Sequence, residues 1–182
     1  MQPDRTTIAR RMRTTIPRCI AGFVVKPAKR PEPWEGEDIA VWRIACPCGS
    51  EHVSFLGYPL SKYNKKYSGS AFVGPLAVEC AKCGRTSELF DTNQHGYHAE
   101  ASGSPTHICG KGKRKAFICP HCGSSQFEIL TSFFFWPASM DLVEDEPETF
   151  ESRAQDMFCE FAAHGRCQKC REVVRFTDFG KL

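Results

Sequence analysis

The stretch "RIACPCGSEHVSF", Arg43 to Phe55, has two cysteines on either side of one proline, followed by Gly-Ser and an apolar-polar alternation. Two cysteines this close suit a tight turn whose sulfurs point at one metal ion. A second stretch, "AFICPHCGSSQFEIL", Ala116 to Leu130, has the same order of apolar run, Cys-Pro turn, Gly-Ser and alternation. The two stretches therefore predict two related turns, each leading into a β-strand.

Two further cysteine pairs resemble each other in the same way. They lie in "VECAKCGRTSELFDT", Val78 to Thr92, and in "GRCQKCREVVRFTDF", Gly165 to Phe179. Each is a C-x-x-C with lysine before its second cysteine, followed by a strand-like alternation. Because the order of the pairs is the same in both halves, the chain is predicted to be a tandem repeat of knuckle, hairpin and knuckle.

This arrangement resembles the zinc-ribbon superfamily, in which two rubredoxin-type knuckles at the ends of β-hairpins hold one zinc ion. The resemblance covers about residues 40–92 and 115–180. It implies a mainly β fold with small α content, in which two tandem zinc ribbons with extended β-hairpins pack into one body. It also implies two structural Zn²⁺ ions. The implied ligands are Cys46, Cys48, Cys80 and Cys83 in the first ribbon, and Cys119, Cys122, Cys167 and Cys170 in the second.

The chain departs from the zinc-ribbon pattern in two respects. The gaps between knuckles are 31 and 44 residues, longer than the ~15–20 of a compact ribbon, so each hairpin is expected to carry an extension. The first knuckle has one residue between its cysteines where the family usually has two. This shorter turn puts Cys46 or Cys48 in question as a ligand, with His52 as a nearby substitute.

Two local sites compete with this pairing. Neither has a counterpart in the first half of the chain, and the repeat therefore argues against both. The three cysteines outside the knuckles, Cys19, Cys109 and Cys159, are predicted to be small buried hydrophobes. The competing ligand sets are Cys159, His164, Cys167 and Cys170, and His107, Cys109, Cys119 and Cys122.

The organisation along the chain follows from the knuckles. Ile8, Met12 and Ile16 recur at four-residue steps and predict one short amphipathic helix over residues 6–16, ended by Pro17. The apolar run "FFFW", Phe133 to Trp136, is predicted to pack against the first ribbon and give the two ribbons a shared core. The predicted divisions are a basic N-terminal arm and Pro-rich linker at 1–36, ribbon 1 at 37–92, a connector at 93–114 and ribbon 2 at 115–182.

Composition limits the cellular setting. The net charge is only +3, which does not by itself indicate a nucleic-acid binder. No run of 18 apolar residues is present, so a membrane span is not expected. Free thiolates need a reducing compartment, and we expect the protein to be cytoplasmic.

Catalysis is not expected from the knuckles, because four thiolates close the coordination sphere of a metal. No H-E-x-x-H, G-x-S-x-G or P-loop pattern is present either. The chain is therefore predicted not to be an enzyme. One segment supports a weaker alternative, a metal-dependent enzyme or a second polar site, through Asp91, His95, His98 and Glu100.

The hairpin extensions are the predicted binding elements, and their charges are opposite. "YPLSKYNKKY", residues 58–67, interleaves tyrosine with lysine, and "GKGKRK", residues 110–115, adds four positive charges. Residues 140–156 hold seven acids and one arginine, so the surface suits a protein partner better than a uniform polyanion. The leading hypothesis is a protein-binding adaptor, or an inhibitor or immunity-type protein; the alternative is nucleic-acid binding in transcription or RNA handling. The candidate partner-binding residues are Lys62, Tyr63, Lys65, Lys66, Tyr67, Glu144, Asp145, Glu146 and Glu148.

Overall fold

A computed structural model describes residues 5–30, 38–63, 65–66, 69–95, 109–135, 150 and 154–177. Across these residues the chain is mainly β, with nine strands in one curled antiparallel sheet. The predicted fold class is therefore confirmed. None of the helices in the described ranges is long and apolar enough to cross a membrane.

The sheet has two branches that meet at its centre. Strand β7 lies between β2 and β8, while β3 lies between β4 and β6. The strands are β1 (Val24–Pro27), β2 (Ile39–Ala45), β3 (Val53–Pro59), β4 (Phe72–Cys80), β5 (Thr86–Phe90), β6 (Lys115–Ala116), β7 (Phe127–Phe135), β8 (Phe158–Cys167) and β9 (Val173–Arg175). The helices are α1 (Arg5–Thr14) and α2 (Thr92–His95), with 3₁₀ turns at Arg18–Ile20, Leu60–Lys62 and Ala154–Met157.

Helix α1 uses two of its three predicted apolar positions. Ile8 and Met12 are fully buried in the main hydrophobic core, where each contributes ~1.5–3 kcal/mol by burial. The third prediction is wrong, because the helix ends at Thr14 and Ile16 is 41% exposed. Pro17 disfavours the helical conformation for the residue before it, so the helix cannot carry Ile16 inward.

The described part of the aromatic run, Phe133 to Phe135, packs as predicted, while Trp136 lies outside the described residues. Phe133 and Phe135 are buried in the same core as α1. Along β7, Ile39 to Ile44 of the first half pair with Phe134 to Ile129 of the second. The two halves therefore share one core and one sheet.

Strands are exchanged between the halves in a matching register. In one direction Arg43 pairs with Leu130. Arg43 lies three positions before the first cysteine of the first half's knuckle, and Leu130 lies eight positions after the second cysteine of the matching knuckle in the second half. In the other direction Ala116 and Leu56 occupy the same two relative positions and also pair. The strand entering each half's first knuckle thus pairs with the strand leaving the other's.

Aromatic stacks join the halves on the core side of the sheet. Phe176 stacks on Phe55 with ring centroids 4.1 Å apart, and Phe161 stacks on Phe90 at 4.3 Å. In both stacks one ring comes from each half. Such pairs add ~0.5–1.5 kcal/mol beyond the burial of their area.

Candidate metal centres

The structure brings the eight knuckle cysteines into two groups of four. Within each group the thiol sulfurs all lie within 4.8 Å of one another. We call the groups cluster 1 and cluster 2. Cluster 1 contains Cys46, Cys48, Cys80 and Cys83, and cluster 2 contains Cys119, Cys122, Cys167 and Cys170.

The spacing of the sulfurs fits a tetrahedral metal site. In cluster 1 the Sγ atoms of Cys46 and Cys83 are 3.6 Å apart, as are those of Cys48 and Cys80. The corresponding distances in cluster 2 are 3.7 and 3.5 Å. A tetrahedron with metal–sulfur bonds of ~2.3 Å has edges of about 3.8 Å, whereas a disulfide bond is ~2.05 Å long. Each cluster therefore has the donor set and spacing to hold one metal ion.

Three of the four knuckles close with the same backbone hydrogen bonds. The residue four positions after the first cysteine donates its N–H to that cysteine's carbonyl, at 2.9 Å from Gly84, 2.9 Å from Gly123 and 3.0 Å from Arg171. All three residues have positive φ, between 67° and 74°. Arg171 adopts this left-handed conformation without being glycine, which costs ~1–2 kcal/mol.

The C-x-C knuckle reaches the same arrangement with one residue fewer. Gly49, at φ 82°, donates its N–H to the carbonyl of Cys46 at 2.7 Å, three positions back. Both Cys46 and Cys48 lie in cluster 1. His52 is not part of this group, and its backbone N–H is bonded to the hydroxyl of Ser50. The missing residue shortens the turn without removing a thiol.

One further hydrogen bond ties the two knuckles of each cluster together. Ala81 donates its N–H to the carbonyl of His52 at 3.0 Å, and Gln168 donates to the carbonyl of Gln126 at 3.0 Å. In both clusters the donor directly follows the first cysteine of the second knuckle. The acceptor lies four positions after the second cysteine of the first knuckle. The strands that bring the thiols together are thus held at the same point in both clusters.

The clusters differ in exposure. Cys46 and Cys80 are buried in cluster 1, but Cys48 and Cys83 are exposed. In cluster 2, Cys119 and Cys167 are buried, and the other two cysteines are only partly exposed. Cluster 1 is therefore the more accessible to solvent.

One thiol in each cluster is predisposed to ionise. Burial raises the pKa of Cys80, but hydrogen bonds from the backbone N–H groups of Cys83 and Lys82 and from neighbouring thiols outweigh it and lower the pKa to about 6. Cys167 has the same balance, with backbone donors at Cys170 and Lys169, and a pKa of about 6. A thiolate is the form of cysteine that binds metal.

One other thiol in each cluster is held protonated. Burial raises the pKa of Cys46 to about 12, despite an opposing backbone hydrogen bond. For Cys170 the backbone N–H of Glu172 lowers the pKa, but burial and the neighbouring thiols together bring it to about 12. Metal binding must therefore displace protons from both clusters.

The remaining cysteines lie outside both clusters. Cys19 is buried as predicted, and Cys159 is partly exposed, with its thiol 3.5 Å from the carbonyl of Phe134. Burial, followed by the charge of Glu160, raises the pKa of Cys159 to about 11. The burial prediction is wrong for Cys109, which is exposed because its segment runs over the surface beside Tyr58.

The Asp91 segment is occupied by local hydrogen bonds in its described part. The Asp91 carboxylate accepts the backbone N–H of Asn93, and Nδ1 of His95 accepts the backbone N–H of Asp91 at 2.9 Å. The His95 ring also stacks on Phe90, with ring centroids 5.5 Å apart. His98 and Glu100 lie outside the described residues, so a second polar site here stays a prediction.

The partner-binding candidates fall into two groups. Lys62, Lys65 and Lys66 are exposed, and Tyr63 is 36% exposed. The sequence did not reveal that Tyr63 contacts a segment 48 residues further along the chain, through Lys111. Tyr67, Glu144, Asp145, Glu146 and Glu148 lie outside the described residues.

Comparisons with family models, with curated protein sequences and with solved structures found no match to the chain. The resemblance to zinc ribbons therefore depends on the knuckles themselves.

Proposed function

We propose that this chain is a non-enzymatic binding module whose fold is stabilised by two structural zinc ions. The observation that carries the proposal is the grouping of eight thiols into two four-sulfur clusters. Four-thiolate sets favour zinc over magnesium or calcium, because zinc is the softer ion and sulfur is a soft ligand. In such sites zinc supplies folding free energy.

A structural role follows from the donor count. A catalytic zinc keeps a coordination position open for water or substrate, whereas four thiolates fill all the positions of a tetrahedral ion. Each cluster also lies where strands of the sheet end, so a metal there fixes the strand ends that build the core. The hairpin extensions are then the elements available for recognition.

A protein is the proposed partner. The extension at residues 140–156 carries seven acids and one arginine, while the extension at residues 58–67 carries lysines. A surface with segments of opposite charge is complementary to a protein surface of mixed charge. Inhibition of a partner with a basic active site by the acidic extension is one form of this function. Thiols that must stay reduced support a cytoplasmic location.

Neutralisation of the acidic extension tests the proposal. The immobilised protein is used to capture partners from an extract of the source cells, with quantification by mass spectrometry. A partner engaged through this extension is lost from the variant. The variant carries Glu144→Gln, Asp145→Asn, Glu146→Gln and Glu148→Gln.

A matched control removes four acids from other strands and turns. It should retain the partner, and both variants should keep the metal content of the parent chain. Equal capture by all three proteins removes the acidic extension from the interface and overturns this proposal for the partner. The control carries Asp38→Asn, Glu79→Gln, Glu160→Gln and Glu172→Gln.

A further inference from the structure

Two lysine-rich segments, distant in sequence, meet on one surface. The hydroxyl of Tyr63 accepts the backbone N–H of Lys111 at 2.9 Å. Four exposed lysines stand within two positions of this hydrogen bond, and Lys66 follows one position further on. We call the surface formed by these lysines and Tyr63 the basic face. The four lysines are Lys62, Lys65, Lys111 and Lys113.

A second tyrosine fixes the turn that carries Lys111 and Lys113. The hydroxyl of Tyr58 donates to the carbonyl of Gly112 at 2.9 Å, and Gly110 donates its N–H to the carbonyl of Gly74 at 2.8 Å. Together with the Tyr63 bond, these contacts hold three consecutive residues of the turn. The lysines are therefore presented from a positioned backbone.

Gly110 permits this position by lacking a side chain. A Cβ atom built at this residue would lie 2.1 Å from the Tyr58 ring and 2.5 Å from its Cβ. No rotation of the tyrosine ring relieves the second contact, so the backbone must shift if Gly110 is replaced. The close approach of the turn to Tyr58 depends on glycine here.

The basic face lies in a part of the chain without acids. Residues 57–76 and 109–117 contain no aspartate or glutamate. Glu88 reaches this region, where it forms a two-bond pair with Arg114 at 2.6 and 2.7 Å. The two segments together carry seven positive charges, whereas the whole chain has a net charge of only +3, so the other residues together are net negative.

The composition of the basic face suits a phosphate backbone. Lysines grouped on one surface neutralise phosphates and release their counterions. The part-exposed ring of Tyr63 adds a surface on which an unpaired base can stack.

We infer that the basic face binds single-stranded nucleic acid through lysine–phosphate contacts and stacking on Tyr63. This function goes beyond the proposed protein-binding role, because it gives the lysines of the basic face a ligand of their own, while the protein-binding test acts on the acidic extension at residues 140–156. Loss of oligonucleotide binding in the lysine variant and loss of protein capture in the acidic variant are separate results. Either proposal can fail without the other.

The test measures binding of a fluorescent oligothymidylate of about 20 residues to the zinc-loaded full chain at several salt concentrations. The lysine variant should lose binding, with the slope of log affinity against log salt shallower by about 0.7 for each phosphate contact removed. The variant carries Lys62→Ala, Lys65→Ala, Lys111→Ala and Lys113→Ala. A charge-matched control carries Arg10→Ala, Lys26→Ala, Lys29→Ala and Arg175→Ala and should bind like the parent.

Two further variants separate position from charge. Gly110→Ala leaves every charge in place but displaces the turn, and it should weaken binding several-fold. Tyr63→Ala should weaken binding about tenfold if a base stacks on the ring, while Tyr63→Phe should retain most of that affinity. Zinc content equal to that of the parent establishes that each variant is folded.

Two results together support the inference. The lysine variant loses more oligonucleotide affinity than its control, and the parent binds a duplex of the same length more weakly than the single strand. It is overturned if the parent does not bind the oligonucleotide, or if the lysine variant and its control lose binding equally. Binding of the duplex as tightly as the single strand overturns the stacking assignment. Loss of a captured protein from the lysine variant, with no oligonucleotide binding by the parent, assigns the basic face to a protein instead.

Discussion

Val53 of β3 pairs directly with Phe127 of β7, and each residue stands five positions after the second cysteine of its knuckle. In an antiparallel ladder, the pairing of two corresponding positions places an approximate twofold axis between them. The pairs on either side obey the same twofold relation. Arg43 pairs with Leu130, and their counterparts in the other half, Ala116 and Leu56, pair in the same way. The chain therefore has the internal geometry of a symmetric dimer joined into one polypeptide.

The first prediction concerns metal content. The purified protein should contain about two zinc ions per chain, because each four-thiol cluster holds one ion. Cys80→Ser and Cys167→Ser should each reduce this content to about one. Elemental analysis of the dialysed proteins measures it, and Cys19→Ser serves as the control that keeps both ions. A parent chain with one zinc would show that only one cluster binds metal.

The two clusters should release zinc in a fixed order. Cys48 and Cys83 are exposed, whereas Cys122 and Cys170 are only partly so, and a chelator or alkylating agent therefore reaches cluster 1 first. A chromophoric chelator should show two phases of release. Peptide mapping after brief alkylation should find Cys48 and Cys83 modified before the cysteines of cluster 2. Modification in the opposite order would contradict the prediction.

The four shifted cluster thiols should contribute most to the stability of the metal-free protein near pH 9. Cys80 and Cys167 have pKa values lowered from 9.0 to about 6. Their contribution to the free energy of unfolding is therefore fully present above pH 9 and is lost as the pH falls through 6. Cys46 and Cys170 have pKa values raised to about 12, so their contribution is present below pH 9 and is lost as the pH rises through 12.

Urea denaturation with chelator and reductant, at steps from pH 6 to pH 11, measures this dependence. The free energy of unfolding should rise from pH 6 to 9 and fall beyond it. The Cys80→Ser, Cys167→Ser double variant is the control and should lose the rise. An unchanged free energy between pH 6 and 9 in the parent chain would be inconsistent with the lowered pKa values.

The halves should not fold apart. In each half, the strands on either side of the first knuckle pair with strands of the other half. Strand β2 pairs with β7 through Arg43 and Leu130, and β3 pairs with β6 through Leu56 and Ala116. Chains of residues 1–100 and 101–182 should each aggregate or stay unfolded alone. Co-expressed, they should assemble into a complex with about two zinc ions. Independent folding of either fragment, seen as dispersed NMR amide signals, would refute the shared-sheet argument.

The sequence was sufficient to identify both clusters, because cysteine pairs at short spacing are a local signal. All eight predicted cysteines lie in them, including Cys46 and Cys48, whose shorter turn keeps the hydrogen bonds of the other knuckles through Gly49. The strands around the knuckles were also predictable from alternation. These features depend on residues close together in the chain.

The features that the sequence did not predict depend on distant residues. No local pattern pairs β2 with β7 or brings Lys111 to the hydroxyl of Tyr63. Cys109 is exposed because its segment runs over the surface, and Ile16 is exposed because the chain has already left helix α1. Such placements follow from the shared sheet and core, which composition and spacing do not encode.

The Val53–Phe127 pair has a thermodynamic consequence for how the two zinc ions bind. Because each cluster orders strands whose partners belong to the other cluster's half, filling one cluster lowers the conformational entropy that remains to be lost when the second fills. The second ion should therefore bind more tightly than an isolated cluster would allow, and the coupling must be equal in both directions. At equilibrium under limiting zinc, the fraction of chains that hold a single ion should therefore be lower than two independent clusters would give.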